Sequence, residues 1–304
     1  MSTVTKPGVY PEMDAELYHS DPTPGGSLSA SWARKLMEPA GPARFQHERQ
    51  NPQQPKRVFE FGHAAHALVL GVGSEIARIP EELLSKSGST GTAAARDFMA
   101  EARANGRIPL KDSEADAIEA MVSALREHRE AMALLTADGT QAELSAFHID
   151  SESGMWLRGR FDAISPSGIV DYKTTTDADP GKFARRTAHE LGYHQQDAWY
   201  RDLARALDIT DQPLRFILQE KTAPYLVSVV QLDDEYVDIG RRRNRAAIEL
   251  YAKCLATDVW PGFTGVSTVG PPMWLATQDD AALTDEIASE LEAYATRLAK
   301  ESAA

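Results

Sequence analysis

The hydrophobic pattern along the chain changes period partway through. The first 26 residues, rich in Pro, Gly and Asp, read as extended chain and turns. Helical spacing begins near Ser27-Leu28-Ser29, where either serine can cap a helix running through Trp32 and Leu36. A second helix is predicted over about 58–70 (VFEFGHAAHALVL), and residues 85–95 (SKSGSTGTAAA) read as a flexible loop. Two further helices follow over roughly 93–105 and 113–136, the latter carrying Ile118, Met121, Leu125 and Met132 at helical spacing.

From residue 142 the runs become short, β-branched and aromatic. AELSAFHI (142–149), GMWLRGRFDAI (154–164) and GIVDYKTT (168–175) are separated by Asp150 to Gly154 and by Ser165-Pro166-Ser167-Gly168. This spacing predicts three consecutive strands in a meander. Asp179-Pro180 opens a helix in cap-then-proline order, and a longer helix covers about 189–207. Strands at 214–221 and 225–232 flank Ala223-Pro224, and a helix over about 233–256 precedes an acidic tail. The expected architecture is one α/β domain over 27–270, a mixed sheet with a central antiparallel meander flanked by helices. An extended segment (1–26) and an amphipathic helical tail (271–304) flank it. In that tail Leu283, Ile287, Leu291, Tyr294 and Leu298 recur at steps of four or three, a stripe that can dock on its own domain or on a neighbouring subunit.

Composition narrows the function. With 304 residues, 42% of them hydrophobic, the chain can bury a full core. One cysteine, Cys254, excludes internal disulfides and any zinc or iron–sulfur site built on several thiolates. There is no bilayer-spanning run, and the N-terminus lacks the basic-then-apolar pattern of a secretion signal, so a cytoplasmic protein is expected. The net charge of −13, of which residues 277–304 carry seven acids against two bases, argues against nonspecific coating of nucleic acid. A surface that grips nucleic acid must then be local, with Lys182 to Arg186 and Arg241 to Arg245 as candidate basic segments.

The strands carry the candidate chemistry. Asp171 and Lys173 are two apart on one strand and leave the same face. Asp162 lies on the preceding strand, eight residues intervening, where the hairpin can bring the two carboxylates together. Unpaired like charges are costly to bury, and a divalent cation on hard oxygen ligands would offset that cost, favouring magnesium or manganese over zinc. Asp171 and Lys173 alone would equally make a surface charge pair; Asp162 at hairpin spacing weakens that reading. Glu143 can extend the acidic cluster or face solvent, and Arg160 can meet a phosphate or neutralise Asp162 or Glu143. His63 and His66, a turn apart on the helix FGHAAHALVL, suit core packing, a single ligand, or a zinc site that lacks an evident third ligand. Gln196 and Tyr200 share one helix face, able to orient a lysine or a phosphate, or to satisfy neighbouring backbone.

The order Gly62–His66, Glu143, Asp162, Asp171-x-Lys173, Gln196-x3-Tyr200 resembles the PD-(D/E)XK nuclease superfamily, and more closely the exonuclease VIII (RecE-type) nuclease domain of phages and prophages. SLSASWARKLMEPAGPARF, FGHAAHALVLG, RGRFDAI with VDYKTT, ILQEKTAPY and CLATDVWPGF are similar to segments of that family, so the resemblance covers roughly residues 27–263. Phe161 stands where the superfamily motif has proline. The resemblance implies a restriction-endonuclease-like core in which His66, Asp162, Asp171 and the Tyr172 carbonyl hold Mg2+, with Mn2+ as a substitute. Glu143 would support the site, Lys173 would position or deprotonate the attacking water, and Gln196 and Tyr200 would steady the lysine and the DNA backbone. It further implies 5′-to-3′ digestion of linear duplex ends to leave 3′ single-stranded tails for homologous recombination, a single-strand annealing partner, and a homo-oligomeric ring. The competing readings are a structure-specific or nonspecific endonuclease on the same fold, an inactive DNA-binding or assembly module, and a zinc enzyme on His63 and His66.

Overall fold

The computed structural model describes residues 4–51 and 60–302. Its strands are β1 (Gly8–Tyr10), β2 (Ser27–Ser29), β3 (Ile76–Ile79), β4 (Ile108–Lys111), β5 (Gln141–Ile149), β6 (Trp156–Ser165), β7 (Gly168–Thr175), β8 (Leu214–Glu220) and β9 (Val227–Val230). The helices are α1 (Ala15–His19), α2 (Ala30–Leu36), α3 (Gly41–Gln50), α4 (Glu60–Leu70), α5 (Ala93–Ala104), α6 (Asp112–Glu127) and α7 (Arg129–Leu135). After the meander come the short α8 (Pro180–Lys182) and α9 (Ala188–Glu190), α10 (Tyr193–Ala206), α11 (Asp234–Thr257) and α12 (Met273–Ser302). Residues 58–59 of the second expected helix lie outside the described residues.

The main sheet runs β1-β5-β6-β7-β8-β9, with β2 beside β6. The expected meander is present as β5, β6 and β7, all antiparallel; the β7–β8 and β2–β6 pairs are parallel, which makes the sheet mixed. On one face Leu144, Phe161, Ile169, Phe216 and Leu218 pack with Ala198, Leu203 and Ala204 of α10. On the other, Ala163, Val170, Tyr172 and Ile217 pack with Ala64 and Ala65 of α4 and with Ile118, Met121 and Leu125 of α6. Burial of these side chains, each stabilising by about 1.5–3 kcal/mol for a large aliphatic or aromatic group, fixes α4 and α10 on opposite sides of the meander.

Three local readings differ from expectation. Residues 8–10 of the segment read as extended chain and turns form β1 on the edge of β5, and α1 follows, with Met13 and Tyr18 buried against Phe147. The pairing is with a strand more than 130 residues away, so local composition does not reveal it. The helix expected over 113–136 breaks at His128, whose side chain caps the second half through the Ala131 N–H. β3 and β4 make a separate two-stranded parallel sheet, each only four residues long.

Residues 1–262 form one compact unit and residues 263–304 a second. The second contains α12, on which Leu283, Ile287, Leu291, Tyr294 and Leu298 are exposed. Among the described residues no helix is long and apolar enough to cross a membrane.

Candidate metal centre and active site

The meander forks where the acids stand. β6 pairs with β7 only from Ala163↔Val170 to Ser165↔Gly168, while its other end pairs with β2 through Trp156, Leu157 and Arg158. Continuing the register past Ala163↔Val170 sets Asp162 opposite Asp171, and the β5–β6 register sets Glu143 opposite Asp162. The three acids therefore occupy one row across three strands.

That row is also where side-chain alternation fails. Ala163 packs toward α4 and α6, yet Phe161, two residues away, packs toward α10. A regular strand would send both to one face. Glu143, opposite the irregular position, has a left-handed φ of 53°, rare for a non-glycine residue. Strain of this kind costs about 1–3 kcal/mol and persists where surrounding structure holds it. Here it turns the Glu143 carboxylate to the fork, where Arg160 Nε donates to Oε2 at 2.5 Å.

Helix α4 supplies the imidazole. Ala64 and Ala65 face the core with no side chain long enough to hold the helix away, so the next residue reaches the fork. His66 Nε2 lies 2.7 Å from the Tyr172 carbonyl oxygen and 3.3 Å from Asp162 Oδ2. Asp162 Oδ2 also accepts the Tyr172 N–H at 2.8 Å. Ligand atoms of His66, Glu143 and Asp162 all fall within 4.8 Å of one another. Burial, opposed by His66 but reinforced by Asp171, pushes the Asp162 carboxyl up to about 6. Two carboxylates and an imidazole, with a carbonyl alongside, suit a hard divalent cation, which would relieve the cost of ionising Asp162.

Asp171 has different surroundings. It is 2% exposed, and both oxygens are occupied: Oδ1 accepts from Gln196 Nε2 at 2.6 Å and Oδ2 meets Lys173 Nζ at 2.6 Å. It lies outside the 4.8 Å group. Burial alone would depress Lys173, but Asp171 and Asp162 outweigh it and hold the ammonium charged. Tyr193 stacks its ring 5.3 Å from Lys173 Nζ.

Helix α10 can lie close because Gly159 has no side chain. A Cβ there would meet Leu203 Cδ2 at 2.7 Å and Tyr200 Cε1 at 2.8 Å. Tyr200 OH then donates to the Arg160 carbonyl at 3.0 Å and Trp199 Nε1 to the Arg158 carbonyl at 3.0 Å, satisfying the strand edge that the fork exposes. Of the two readings of the α10 face, Tyr200 serves the backbone, while Gln196 reaches a carboxylate.

The remaining candidates sort by partner. Arg160 is a counter-ion to Glu143 and also donates to the Met13 carbonyl and Ser145 Oγ. His63 lines the cleft but is outside the ligand group, and burial lowers its pKa. Cys254 is buried on α11. The basic segments are largely engaged: Lys182 with Asp177, Arg186 with Glu190, Arg241 with Asp202 and Asp238, and Arg245 with Asp150. His66, Glu143, Asp162, Lys173, Gln196 and Tyr200 line a cleft of about 750 Å³.

Several cleft residues escaped the sequence reading, Tyr193 beside Lys173 among them. Arg158, 4% exposed and paired with Asp21 at 2.8 Å, is four residues before Asp162, a spacing that could have flagged it. Tyr18 and His19 come from α1 and carry no local signal.

No curated protein matches the sequence. The fold superposes on a candidate exonuclease from Eubacterium rectale with a TM-score of 0.55 at 12% identity, covering 86% of this chain and 96% of that one. An alkaline exonuclease from Laribacter hongkongensis aligns at 13% identity over 67% of this chain and 97% of that one, with a TM-score of 0.26, a level that carries no argument. The first likeness, at its low identity, speaks to the fold alone. The sequence itself matches a family over residues 29–268, a stretch containing all the acids of the fork, His66, Lys173 and the α10 pair: the chain belongs to the family of the PDDEXK-like domain of unknown function (DUF3799).

Proposed function

We propose that the protein is a metal-dependent exonuclease acting on the ends of linear double-stranded DNA. The observation that carries this reading is the convergence of His66, Glu143 and Asp162 within 4.8 Å, beside the buried Asp171–Lys173 pair, on a PD-(D/E)XK-type fold. A divalent cation, Mg2+ or in its place Mn2+, would when bound acidify water, polarise the scissile phosphate and offset charge on the leaving 3′ oxygen.

The chain's own groups have separable tasks. Asp162, Glu143 and His66 would hold the cation, with the Tyr172 carbonyl beside them. Asp171 holds Lys173, and Gln196 holds Asp171. Lys173 thereby presents a charged ammonium to the attacking water and the phosphate oxygens, which favours a positioning and electrostatic role over that of a base. Asp171 would act on the cation only if binding drew it from Lys173 or Gln196. Tyr200 fixes the backbone of Arg160, leaving phosphate contact to groups further out in the cleft.

By its motifs the site is most like RecE-type exonucleases, which supports 5′-to-3′ digestion leaving 3′ single-stranded tails for phage-type recombination. The same likeness supports an annealing protein as partner and a ring of identical subunits. The decisive assay uses linear duplex labelled at the 5′ or the 3′ end, and covalently closed circles, with Mg2+, Mn2+ or EDTA. The proposal expects early release of the 5′ label from linear duplex, intact circles, and no product in EDTA. Nicked or linearised circles would make the protein an endonuclease on this fold, and binding without cleavage would make it an assembly module.

A further inference from the structure

Behind the fork lies a second cleft, of about 720 Å³, which shares His63, His66 and Lys173 with the first and continues to Thr174 and Lys221. We infer that this cleft is a groove for the DNA backbone, in which Lys221 and Thr174 hold the phosphate neighbouring the scissile one. The inference rests on the nuclease reading and adds to it the path of the strand beyond the cut.

Placement comes first. Thr174 follows Lys173 on β7, and its side chain alternates to the face toward α4. Lys221 follows Glu220, the register partner of Thr175, and its N–H bonds the Thr175 carbonyl. Strand rise of ~3.3 Å per residue therefore puts Lys221 about 7–10 Å along the sheet from Lys173. A strand seated at the cluster and running past Lys173 meets Thr174, then Lys221.

Charge comes second. Lys173 is consumed by Asp171, whereas Lys221 is exposed and, among the described residues, has no carboxylate within ion-pair range. The two acids of the groove are turned to other tasks. Glu60 pairs with Arg103 at 2.7 Å, and Glu114 accepts the Lys111 N–H at 2.9 Å as the cap of α6. Lys221 is thus an available cation in a cleft that borders the proposed metal centre, on a chain of net charge −13. An unpartnered cation there fits a polyanion better than a neutral ligand.

Width comes third. Gly62 of α4 also lines the cleft, close to Thr174: a Cβ placed there would meet Thr174 Oγ1 at 3.8 Å, an ordinary contact. A longer side chain at 62 would project into the groove without disturbing the helix.

The test is fluorescence anisotropy of a labelled blunt duplex across a salt series, with Ca2+ replacing Mg2+ to suppress turnover. Each phosphate contact contributes about 0.9 to the slope of log affinity against log salt. Lys221→Gln is expected to flatten the slope by about that amount and to weaken binding, with Lys221→Arg keeping the wild-type slope. Metal affinity should stay at the wild-type level in both, which separates loss of the groove from loss of the metal centre. Gly62→Glu, which sets a carboxylate against the phosphate path, should weaken binding further. Unchanged slope and affinity in Lys221→Gln, with wild type binding normally, would overturn the groove and leave the nuclease reading standing. A wild type that neither binds nor cuts duplex would overturn the nuclease reading, and this inference with it.

Discussion

Asp162 and Asp171 stand opposite each other on the same hairpin, yet the fold treats them differently. Asp162 keeps one backbone N–H and a histidine as company, and burial pushes its carboxyl up to about 6. Asp171 is more deeply buried but fully supplied, with an amide on one oxygen and an ammonium on the other. Under the proposed function, the difference separates a group that would receive a metal cation from a group already paired with an ammonium. A buried carboxylate without a cationic side chain is costly on its own, and a metal ion would offset that cost. A buried carboxylate paired to lysine is a positioning device.

The contrast is broken most directly by isosteric amides. Asp162→Asn should abolish magnesium binding by calorimetry and lower cleavage more than ~100-fold, beyond what losing an outer partner of a metal ligand costs. Its metal-free melting temperature should not fall, because a strained charge has been removed. A variant that still cuts within tenfold of wild type would assign Asp162 a structural role.

Glu143→Gln comes next. It removes a proposed ligand while Arg160 keeps Ser145 and the Met13 carbonyl, so the metal requirement should rise by about 10–100-fold with the fold intact. An unaltered metal requirement would return Glu143 to the part of counter-ion for Arg160.

Asp171→Asn should behave in the opposite way to Asp162→Asn. It strands the Lys173 ammonium, largely buried, and should cost about 2 kcal/mol of stability in chemical unfolding, with or without metal. Equal stability losses from the two amide variants would erase the distinction between them.

The smallest effect is a pH dependence in EDTA. The Asp162 carboxyl sits near 6 in the folded chain against 3.8 for an ordinary aspartate. Between those values the folded state binds more protons than the unfolded one. Metal-free stability should therefore rise as pH falls from above 6 toward 4, by at most about 1.4 kcal/mol per pH unit. Melting scans of wild type beside Asp162→Asn check this: Asp197, which burial also pushes up, to about 7, keeps part of the trend, and the slope should be shallower in the variant.

The same contrast shows what sequence can reveal. Asp162, Asp171 and Lys173 are legible because hairpin spacing and strand alternation are short-range rules, and α4 and α10 because their apolar faces repeat at helical spacing. The mixed sheet with its central meander follows from the same periodicities. The division of labour between the acids is not legible. It arises where alternation fails, at Glu143 and Asp162, through a left-handed backbone that no composition marks. The sequence offers Arg160 as counter-ion to Glu143 but leaves Asp162 and a phosphate as equal alternatives, and the left-handed turn at Glu143 accompanies the choice. β1 and β2 are three-residue strands whose partners lie far along the chain, and β2 coincides with the cap of α2 at Ser29. Pairings of this kind depend on the assembled sheet and leave no periodic trace.

A divalent cation held at Asp162 is proposed to carry hydrolysis. The most direct measurement is a magnesium titration of wild type and Asp162→Asn, followed in parallel by calorimetry and by nucleotide release from linear duplex. The account predicts that in wild type release rises with site occupancy and falls to zero in EDTA, and that the variant shows neither binding nor release. Release by Asp162→Asn at the wild-type rate, or wild-type release that persists in EDTA, would contradict it.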